Sequence, residues 1–496
     1  MLTTPVPWRC RRSSTTGTAR AFLTIGSGSS LNNLAGGTIE ARANSADNAG
    51  SYTISTDTLT NDGSIINNST STFLFDRNNA DYTNASTISG VSGGLNFDDL
   101  GSFNNQASGT VSSGFGLTLR GQTIASSTVT NDGTINVTGG NLSLVDLQTI
   151  TNNGTIDVAN GNIGFSNYNT VDNFGTIQSA AGRTVGFSGG TYRHQSGGSL
   201  VGGDVLNFTN TTLNLQSDFT TDFPTVNLSN VTATGPGSYT NAAGTTLTMV
   251  SNNFGSNVQL VNDGQVNLAT GVNVFNSNTL NGGLLNNAGA ELLIRNISTG
   301  SSNSDSVLTV GTSLDNFGTL ALQNQRQTGT GADVRLSLSG GVTLTNHAGG
   351  LLEARAPVAD NPGNYIVQAD AVVNEGTIVN NTTTTFLFDR NNADYTNAST
   401  ISGVSGGLNF DDLGSFNNQA SGTVSSGFGL TLRGQTIASS TVTNDGTINV
   451  TGGNLSLVDL QTITNNGTID VANGNIGFSN YNTVDNFGTI QSAAGR

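Results

Sequence analysis

Residues 129–137, 150–158 and 171–179 read VTNDGTINV, ITNNGTIDV and VDNFGTIQS. Each phrase has an asparagine, a glycine two positions later and an isoleucine two positions beyond that. The asparagines are 21 residues apart and are Asn131, Asn152 and Asn173. A unit of about 20 residues cannot bury its own apolar face, so it must stack on copies of itself. The stretch therefore predicts a solenoid in which each repeat forms one coil.

Each repeat contains short runs in which apolar and polar residues alternate, such as TINV at 134–137 and LSLV at 142–145. Alternation over four residues between Gly and Asn is typical of β-strands. We therefore predict an all-β protein, a single-stranded parallel β-helix of about 21 residues per coil. Inward side chains should meet their counterparts about 4.8 Å away in the next coil. The expected inward columns contain Ile135, Ile156 and Ile177, and Leu144, Phe165 and Phe187.

The asparagine of each phrase is predicted to be structural. Asn tolerates the left-handed backbone of a tight corner, and stacked amides can form hydrogen bonds along a column. We expect such an amide ladder, and no ligand contact, at Asn131, Asn152, Asn173, Asn444, Asn465 and Asn486. Further corners are predicted at Asn287, Asn316, Asn346 and Asn374. His194 follows Asn173 at the same interval and is predicted to replace the corner asparagine as an exposed turn residue.

The composition limits the classes of function. Among 496 residues there are 66 Gly and 6 Pro, and 10% of the residues are charged. Regular apolar columns favour an ordered β protein over low-complexity disorder. A net charge of −16 disfavours a nucleic-acid partner. The one Cys excludes a disulfide framework and a cysteine zinc cluster. No apolar stretch is long enough to span a bilayer, so we expect no membrane insertion.

Three regions are predicted along the chain. Residues 1–20 contain the only Cys and the only Trp and lack the apolar core of a secretory signal. We expect them to be a disordered, non-repetitive leader, or residues ahead of a misassigned start. Residues 21–333 are predicted to form one superrepeat and 334–496 an incomplete second one, because residues 72–183 recur unchanged as 385–496.

The variable spacing of the later corners predicts insertions at 300–305 and 324–332. Loops that leave a rigid solenoid are where we expect binding to occur. The second copy ends at Arg496, which corresponds to Arg183 part-way through a coil of the first. We therefore expect the chain to be a fragment that associates end to end through an open edge.

The strongest candidates for catalysis are the doublets Asp98–Asp99 and Asp411–Asp412. Paired carboxylates serve as acid and base in glycoside hydrolases, and the doublet resembles that of polygalacturonase-type enzymes. The accompanying G-H-G motif is missing, and an R-x-K motif is impossible because the chain has no Lys. Adjacent strand residues point to opposite faces, so a corner role is favoured. No catalytic site is predicted.

No cofactor or metal site is predicted either. The sequence has no phosphate loop, dinucleotide fingerprint, nucleophile elbow or repeat-in-toxin calcium motif. Residues 76–81, DRNNAD, form only a loose oxygen-rich segment. His194 and His347 are far apart in separate coils, which excludes a His-paired metal site.

The phrase N-x-G-T-[IVL] recurs at Asn131, Asn152, Asn173, Asn316 and Asn374. These coils resemble those of bacterial autotransporter passenger domains and filamentous-haemagglutinin-like exoproteins, over about residues 21–496. The resemblance implies a right-handed β-helix that is secreted or held at the cell surface as a non-enzymatic stalk or adhesin. It also implies a surface ligand, for which carbohydrate and another cell surface are the candidate classes. The alternative is a polysaccharide-active β-helix enzyme: a glycoside hydrolase, a lyase or a tailspike-like depolymerase.

Overall fold

The structure, a computed structural model, describes residues 2–3, 8–10, 21–42, 51–269, 276–296, 305–324, 333–355 and 363–493. These residues form strands, turns and bends, with no helix among them. The strands stack in parallel as a β-solenoid of about 19 turns, with roughly 22 residues per coil. The predicted fold class is therefore confirmed.

The chain divides into two compact units, unit 1 at Met1–Pro236 and unit 2 at Gly237–Arg496. The described strands of unit 1, numbered β1 to β27 in chain order, are Leu2–Thr3, Trp8–Cys10, Ala21–Thr24, Ser30–Asn33, Thr38–Arg42, Tyr52–Ser55, Thr58–Asn61, Ser64–Asn68, Phe73–Asn84, Thr87–Gly90, Leu95–Asn105, Thr110–Ser113, Leu117–Gly121, Thr128–Asn131, Thr134–Val137, Leu142–Asn152, Thr155–Val158, Ile163–Asn173, Thr176–Ser179, Thr184–Ser188, Thr191–His194, Ser199–Gly202, Val205–Thr209, Thr212–Leu215, Phe219–Thr220, Thr225–Ser229 and Thr232–Thr234.

Unit 2 begins with strands β28 to β44, which are Tyr239–Asn241, Thr246–Val250, Asn253–Phe254, Leu260–Asn262, Gln265–Ala269, Asn276–Leu280, Leu284–Asn286, Glu291–Asn296, Ser306–Val310, Leu314–Asn316, Thr319–Asn324, Val334–Leu338, Thr343–Asn346, Leu351–Arg355, Tyr365–Gln368, Ala371–Asn374 and Thr377–Asn380. Strands β45 to β55, from Phe386–Asn397 to Thr489–Ser492, then repeat β9 to β19 in the same order and with the same lengths. Identical sequences thus form the same strands in both units. We call residues 72–183 copy one and residues 385–496 copy two.

One coil of copy one shows how the sequence builds the fold. In β16 (Leu142–Asn152) the side chains alternate between inside and outside until Asp146, whose φ of 58° turns the chain without breaking the strand. Asp and Asn enter this left-handed region at lower cost than most side chains. A turn at the end of β16 leads into β17, and a second turn leads into the next coil. Three strand segments and three corners therefore make one coil.

The interior is a set of stacked columns. Ile135 pairs in register with Ile156 and Ile156 with Ile177, and all three are at most 1% exposed. Burying such a side chain contributes about 1.5–3 kcal/mol. A second column contains Leu144, Phe165 and Phe187, paired in the same way. The rings of Phe165 and Phe187 stack with centroids 4.6 Å apart and planes only 4° from parallel.

The glycine of the N-x-G phrase is required by the spacing of the coils. A Cβ atom on Gly154 would lie 2.0 Å from the carbonyl oxygen of Gly133, one coil earlier, and Gly175 meets Gly154 in the same way at 2.1 Å. Real Cβ atoms do not approach backbone oxygens so closely. Any larger residue here would force neighbouring coils apart.

Parts of the predicted leader contribute strands. Leu2–Thr3 pairs in parallel with Leu31–Asn32, and Trp8–Cys10 pairs with Ile39–Ala41. The remaining residues of 1–20 lie outside the described residues, as do most of the predicted insertions at 300–305 and 324–332. The superrepeat boundaries at 21–333 and 334–496 stay a prediction.

Candidate functional site

The corner asparagines form the predicted ladder. The Nδ2 atom of Asn131 donates to Oδ1 of Asn152 at 2.8 Å, and Asn152 donates to Asn173 at 2.9 Å. In copy two, Asn444 donates to Asn465 and Asn465 to Asn486, each at 2.7 Å. The predicted amide ladder is therefore confirmed, but the left-handed backbone expected at these asparagines is not found.

The ladder uses most of the hydrogen-bonding capacity of each amide. The second Nδ2 hydrogen of Asn152 reaches the backbone oxygen of Thr176 at 3.2 Å, and that of Asn131 reaches Thr155 at 3.1 Å. Asn131, Asn152 and Asn173 are at most 1% exposed. Buried amides in this arrangement stabilise the corner and have little capacity left for a ligand.

The corner predicted at Asn287 needs correction. The ladder residue there is Asn286, which accepts from Asn262 at 2.8 Å and donates to Asn316 at 2.7 Å. Asn287 lies outside the ladder and donates to Asp263. The error is a single position, because coil length varies here and the turn occurs earlier than the spacing suggested.

His194 was predicted to be an exposed turn residue, and this is wrong. It pairs in register with Asn173 and is only 5% exposed. The ring of Phe219 packs edge-on against it, with centroids 4.9 Å apart. Burial lowers the pKa of His194. The ladder of unit 1 instead ends where Asn173 donates to the hydroxyl oxygen of Tyr192 at 3.2 Å.

The carboxylate doublets lie at a corner of the coil. Asp99 has a φ of 56° and Asp412 has the same value. The backbone N–H of Asp99 donates to Oδ1 of Asp98 at 3.2 Å, and Nη1 of Arg120 lies 3.4 Å from Oδ2 of Asp98. In copy two, Arg433 lies 3.2 Å from Asp411. The left-handed backbone gives Asp99 a geometric role in turning the chain.

A third carboxylate joins each doublet, and the sequence analysis missed its position. Asp76 pairs in register with Asp98 on the neighbouring coil. Burial, with smaller contributions from Asp99 and Asp98, raises the pKa of Asp76, and the pKa of Asp389 is raised in the same way beside Asp412 and Asp411. Residues 76–81, expected to be a loose segment, belong to the long strand β9. A carboxyl group with a raised pKa beside an arginine-paired carboxylate is the kind of pairing from which acid and base roles are made.

His347 belongs to a surface stack. Its ring lies parallel to that of Phe317, with centroids 3.9 Å apart and planes 2° from parallel. Its Nε2 atom lies 3.0 Å from Asp315, and its Nδ1 atom 3.6 Å from Glu375. Across the described part of the chain, no three His, Cys, Asp or Glu side chains are arranged to hold a metal ion.

No protein-family model, curated protein or solved structure matches this chain. The described residues include no helix long and apolar enough to cross a membrane.

Proposed function

We propose that this chain is a secreted or cell-surface structural and adhesive β-solenoid of a bacterium, related to autotransporter passenger domains or filamentous-haemagglutinin-like exoproteins. The observation that carries the proposal is the internal Asn ladder running beside stacked apolar columns. The corner asparagines form hydrogen bonds between neighbouring coils, so the fold is held together from inside. The outward side chains can therefore differ without loss of the fold. The N-x-G-T-[IVL] phrases support the same family.

The surface location can be tested on the producing bacterium. Antibodies raised against the purified chain should label intact cells in flow cytometry, and protease treatment of intact cells should remove the label. Labelling that requires permeabilisation overturns the surface location. Deletion of the gene should also reduce adherence, with recovery on complementation. If the wild type is labelled at its surface but the deletion strain adheres equally well, the adhesive role is excluded and the role of a stalk remains.

A polysaccharide-active enzyme is the second candidate, favoured by the register of Asp76 with Asp98 and by the raised pKa of Asp76. The test is release of reducing ends from acidic and neutral polysaccharides. Turnover that is abolished by Asp98→Asn combined with Asp411→Asn would replace the non-enzymatic proposal. No turnover across the panel removes the enzyme candidate.

A further inference from the structure

A groove of about 500 Å³ crosses neighbouring coils of unit 1, and its lining extends from Thr70 to Ser143. Its lining includes three outward side chains on adjacent strands, Asn96, Thr118 and Ser143, which pair in register from coil to coil. In-register residues are spaced about 4.8 Å apart, so these polar groups form a straight row. Such a row suits an extended ligand with regularly spaced hydroxyl groups.

An exposed aromatic residue belongs to the groove lining. Phe115 lines the groove and is 61% exposed, whereas most phenylalanines of the described residues are in the core. Its turn is held by Ser113, whose Oγ donates to the oxygen of Gly116 at 2.7 Å and accepts from the N–H groups of Phe115 and Gly116. The ring is thus presented on a fixed turn, which lowers the entropy lost when a ligand binds.

Glycines keep the groove open beside the ring. Gly94 and Gly116 both line it, and Gly116 has a φ of 141°, a conformation that disfavours any side chain. A flat ligand can therefore approach the backbone next to the ring of Phe115. Pockets of this form, with a few placed polar groups and an aromatic wall, are typical of small-molecule sites.

Asn96 also has unused hydrogen-bonding capacity. Its Oδ1 atom is buried without a hydrogen-bond partner, and the same is true of Oδ1 of Asn409 in copy two. The same is true of Oδ1 of Asn104, which lies on the same strand but does not line the groove, so this deficit is shared by outward asparagines of the strand and is not specific to the groove.

The charge and the hydrogen bonding narrow the ligand class. The lining residues include no charged side chain, and Asp98 follows Asn96 by two positions on the same outward side. The protein has a net charge of −16 and repels anions, so an anionic ligand is disfavoured. A peptide strand would need an open sheet edge, but β11 already pairs with β9 on one side and with β13 and β14 on the other.

We propose that this groove binds a neutral oligosaccharide, with a sugar ring on Phe115 and sugar hydroxyls on Asn96 and Thr118. The apolar face of a pyranose packs well on an aromatic ring, and neutral amide and hydroxyl groups complement its hydroxyls. The inference deepens the adhesive function proposed above and rests on it, because it names the class of surface ligand.

The residues of the site occur twice in the chain. The lining recurs unchanged in copy two, with Thr385, Gly407, Asn409, Phe428, Gly429 and Thr431 among its members. Phe428 is 58% exposed, and its turn is held by Ser426 through the same hydrogen bonds. We therefore expect a second, equivalent groove in copy two.

Isothermal titration calorimetry tests the proposal with hexasaccharides of glucose in β-1,4 and α-1,4 linkage, of mannose, of xylose and of N-acetylglucosamine, and with hexagalacturonate as the anionic probe. At least one neutral hexasaccharide should bind at two sites per chain, and hexagalacturonate should not bind. Phe115→Ala and Phe428→Ala should each leave one site, and the double variant none. Asn96→Ala with Asn409→Ala should weaken binding about tenfold.

The matched control is Phe174→Ala with Phe487→Ala, which removes two exposed rings that do not belong to the groove lining. This variant should bind as the wild type does. Equal thermal unfolding of all variants checks that the fold is intact. Binding that survives the Phe115 and Phe428 double substitution overturns the groove, and preference for hexagalacturonate overturns the ligand class.

Failure here is distinguishable from failure of the proposed function. A chain that labels intact cells but binds no neutral hexasaccharide overturns the groove inference alone. Release of reducing ends during titration, abolished by Asp98→Asn with Asp411→Asn, overturns the non-enzymatic function and leaves the groove as a substrate site.

Discussion

Copy one and copy two have the same residues and the same strands, yet their last coils differ in burial. In copy one, β20 and β21 pair with β18, and Phe165 and Tyr168 are 1% and 2% exposed. Tyr481, the counterpart of Tyr168, is 44% exposed. The described residues that pair with β54 (Ile476–Asn486) all belong to the preceding coil.

The two copies separate strand pairing from side-chain burial as contributions to the structure of a coil. Pairing with the preceding coil is sufficient for strand formation, for register and for the ladder bond, since Asn465 reaches Asn486 at 2.7 Å much as Asn152 reaches Asn173 at 2.9 Å. Burial of the inward side chains requires a coil on each side. The same sequence is therefore buried to different extents in the two copies.

The largest expected effect is that of Ile177→Asp. Ile177 is 0% exposed, so the new carboxylate would be buried without a partner and should cost at least about 3–5 kcal/mol. Its counterpart Ile490 is partly exposed, and Ile490→Asp should cost much less. Urea unfolding followed by circular dichroism compares the two variants. Equal losses would contradict the role assigned to the covering coil.

The ladder should give an intermediate effect. Asn152→Ala removes one hydrogen bond from the amide of Asn131, the ladder bond to Asn173 and the bond to the backbone oxygen of Thr176, and should cost about 2–3 kcal/mol. Asn486 accepts one ladder bond but is exposed, so Asn486→Ala should cost less than about 1 kcal/mol because water replaces the lost partner.

The control for the ladder is Asn465→Ala, the twin of Asn152→Ala in copy two. It removes equivalent bonds from a buried residue, but two of the partners, Asn486 and Thr489, are exposed and can bond to water instead. Its loss should therefore lie between those of Asn152→Ala and Asn486→Ala in the same denaturation assay, and a loss larger than that of Asn152→Ala would contradict the role of burial.

A smaller change in stability is expected when the pH is lowered, because His194 lies in the coil that stacks on the last coil of copy one. Burial lowers the pKa of His194 below its ordinary 6.5, so the unfolded chain takes up a proton first as the pH falls. The free energy of unfolding should therefore decrease below about pH 6.5, until the folded-state pKa is passed. His194→Asn, which cannot titrate, should lack this component in urea midpoints measured between pH 7.5 and 5. If His194→Asn shows the same dependence of urea midpoint on pH as the wild type, His194 is not the source of this component.

The smallest effect is expected at Asp76 and Asp389, where both copies should behave alike. Their pKa values are raised, so the folded state retains these protons to higher pH than the unfolded chain does. Stability should fall as the pH rises from about 3.8 through the folded pKa. Asp76→Asn and Asp389→Asn should each remove part of that decline in thermal unfolding between pH 4 and 7. A loss of stability at pH 7 in either variant would show that the carboxylate is favourable where it lies.

Much of the repeat architecture could be predicted from single phrases. Asn131 and Ile135 recur at a constant interval, and the interval places both in columns because parallel strands pair residue by residue. The error at Asn287 shows the limit, since coil lengths near 290 vary and the sequence alone does not say where an extra residue is accommodated. Asp76 and Asp98 are 22 residues apart and pair in register, whereas the asparagine phrases that set the predicted interval are 21 residues apart.

The groove was not predicted at all. Gly94, Phe115 and Asn141 each sit in an ordinary turn, and their importance arises because those turns lie on adjacent coils. Sequence reasoning instead directed attention to loop insertions, where the spacing of corners is irregular. The signal that could have found the site is an unexplained phenylalanine in a glycine-rich turn, repeated at Phe428.

The sequence by itself determined the period, the alternation of inward and outward residues and the identity of the ladder. These follow from chain geometry and from hydrogen-bonding groups that each repeat carries with it. Only the tertiary structure decided which identical side chains are buried, that His194 lies inside, and that a ring and a row of amide and hydroxyl groups share one groove. Burial and concavity are properties of neighbouring coils together, so no single repeat contains them.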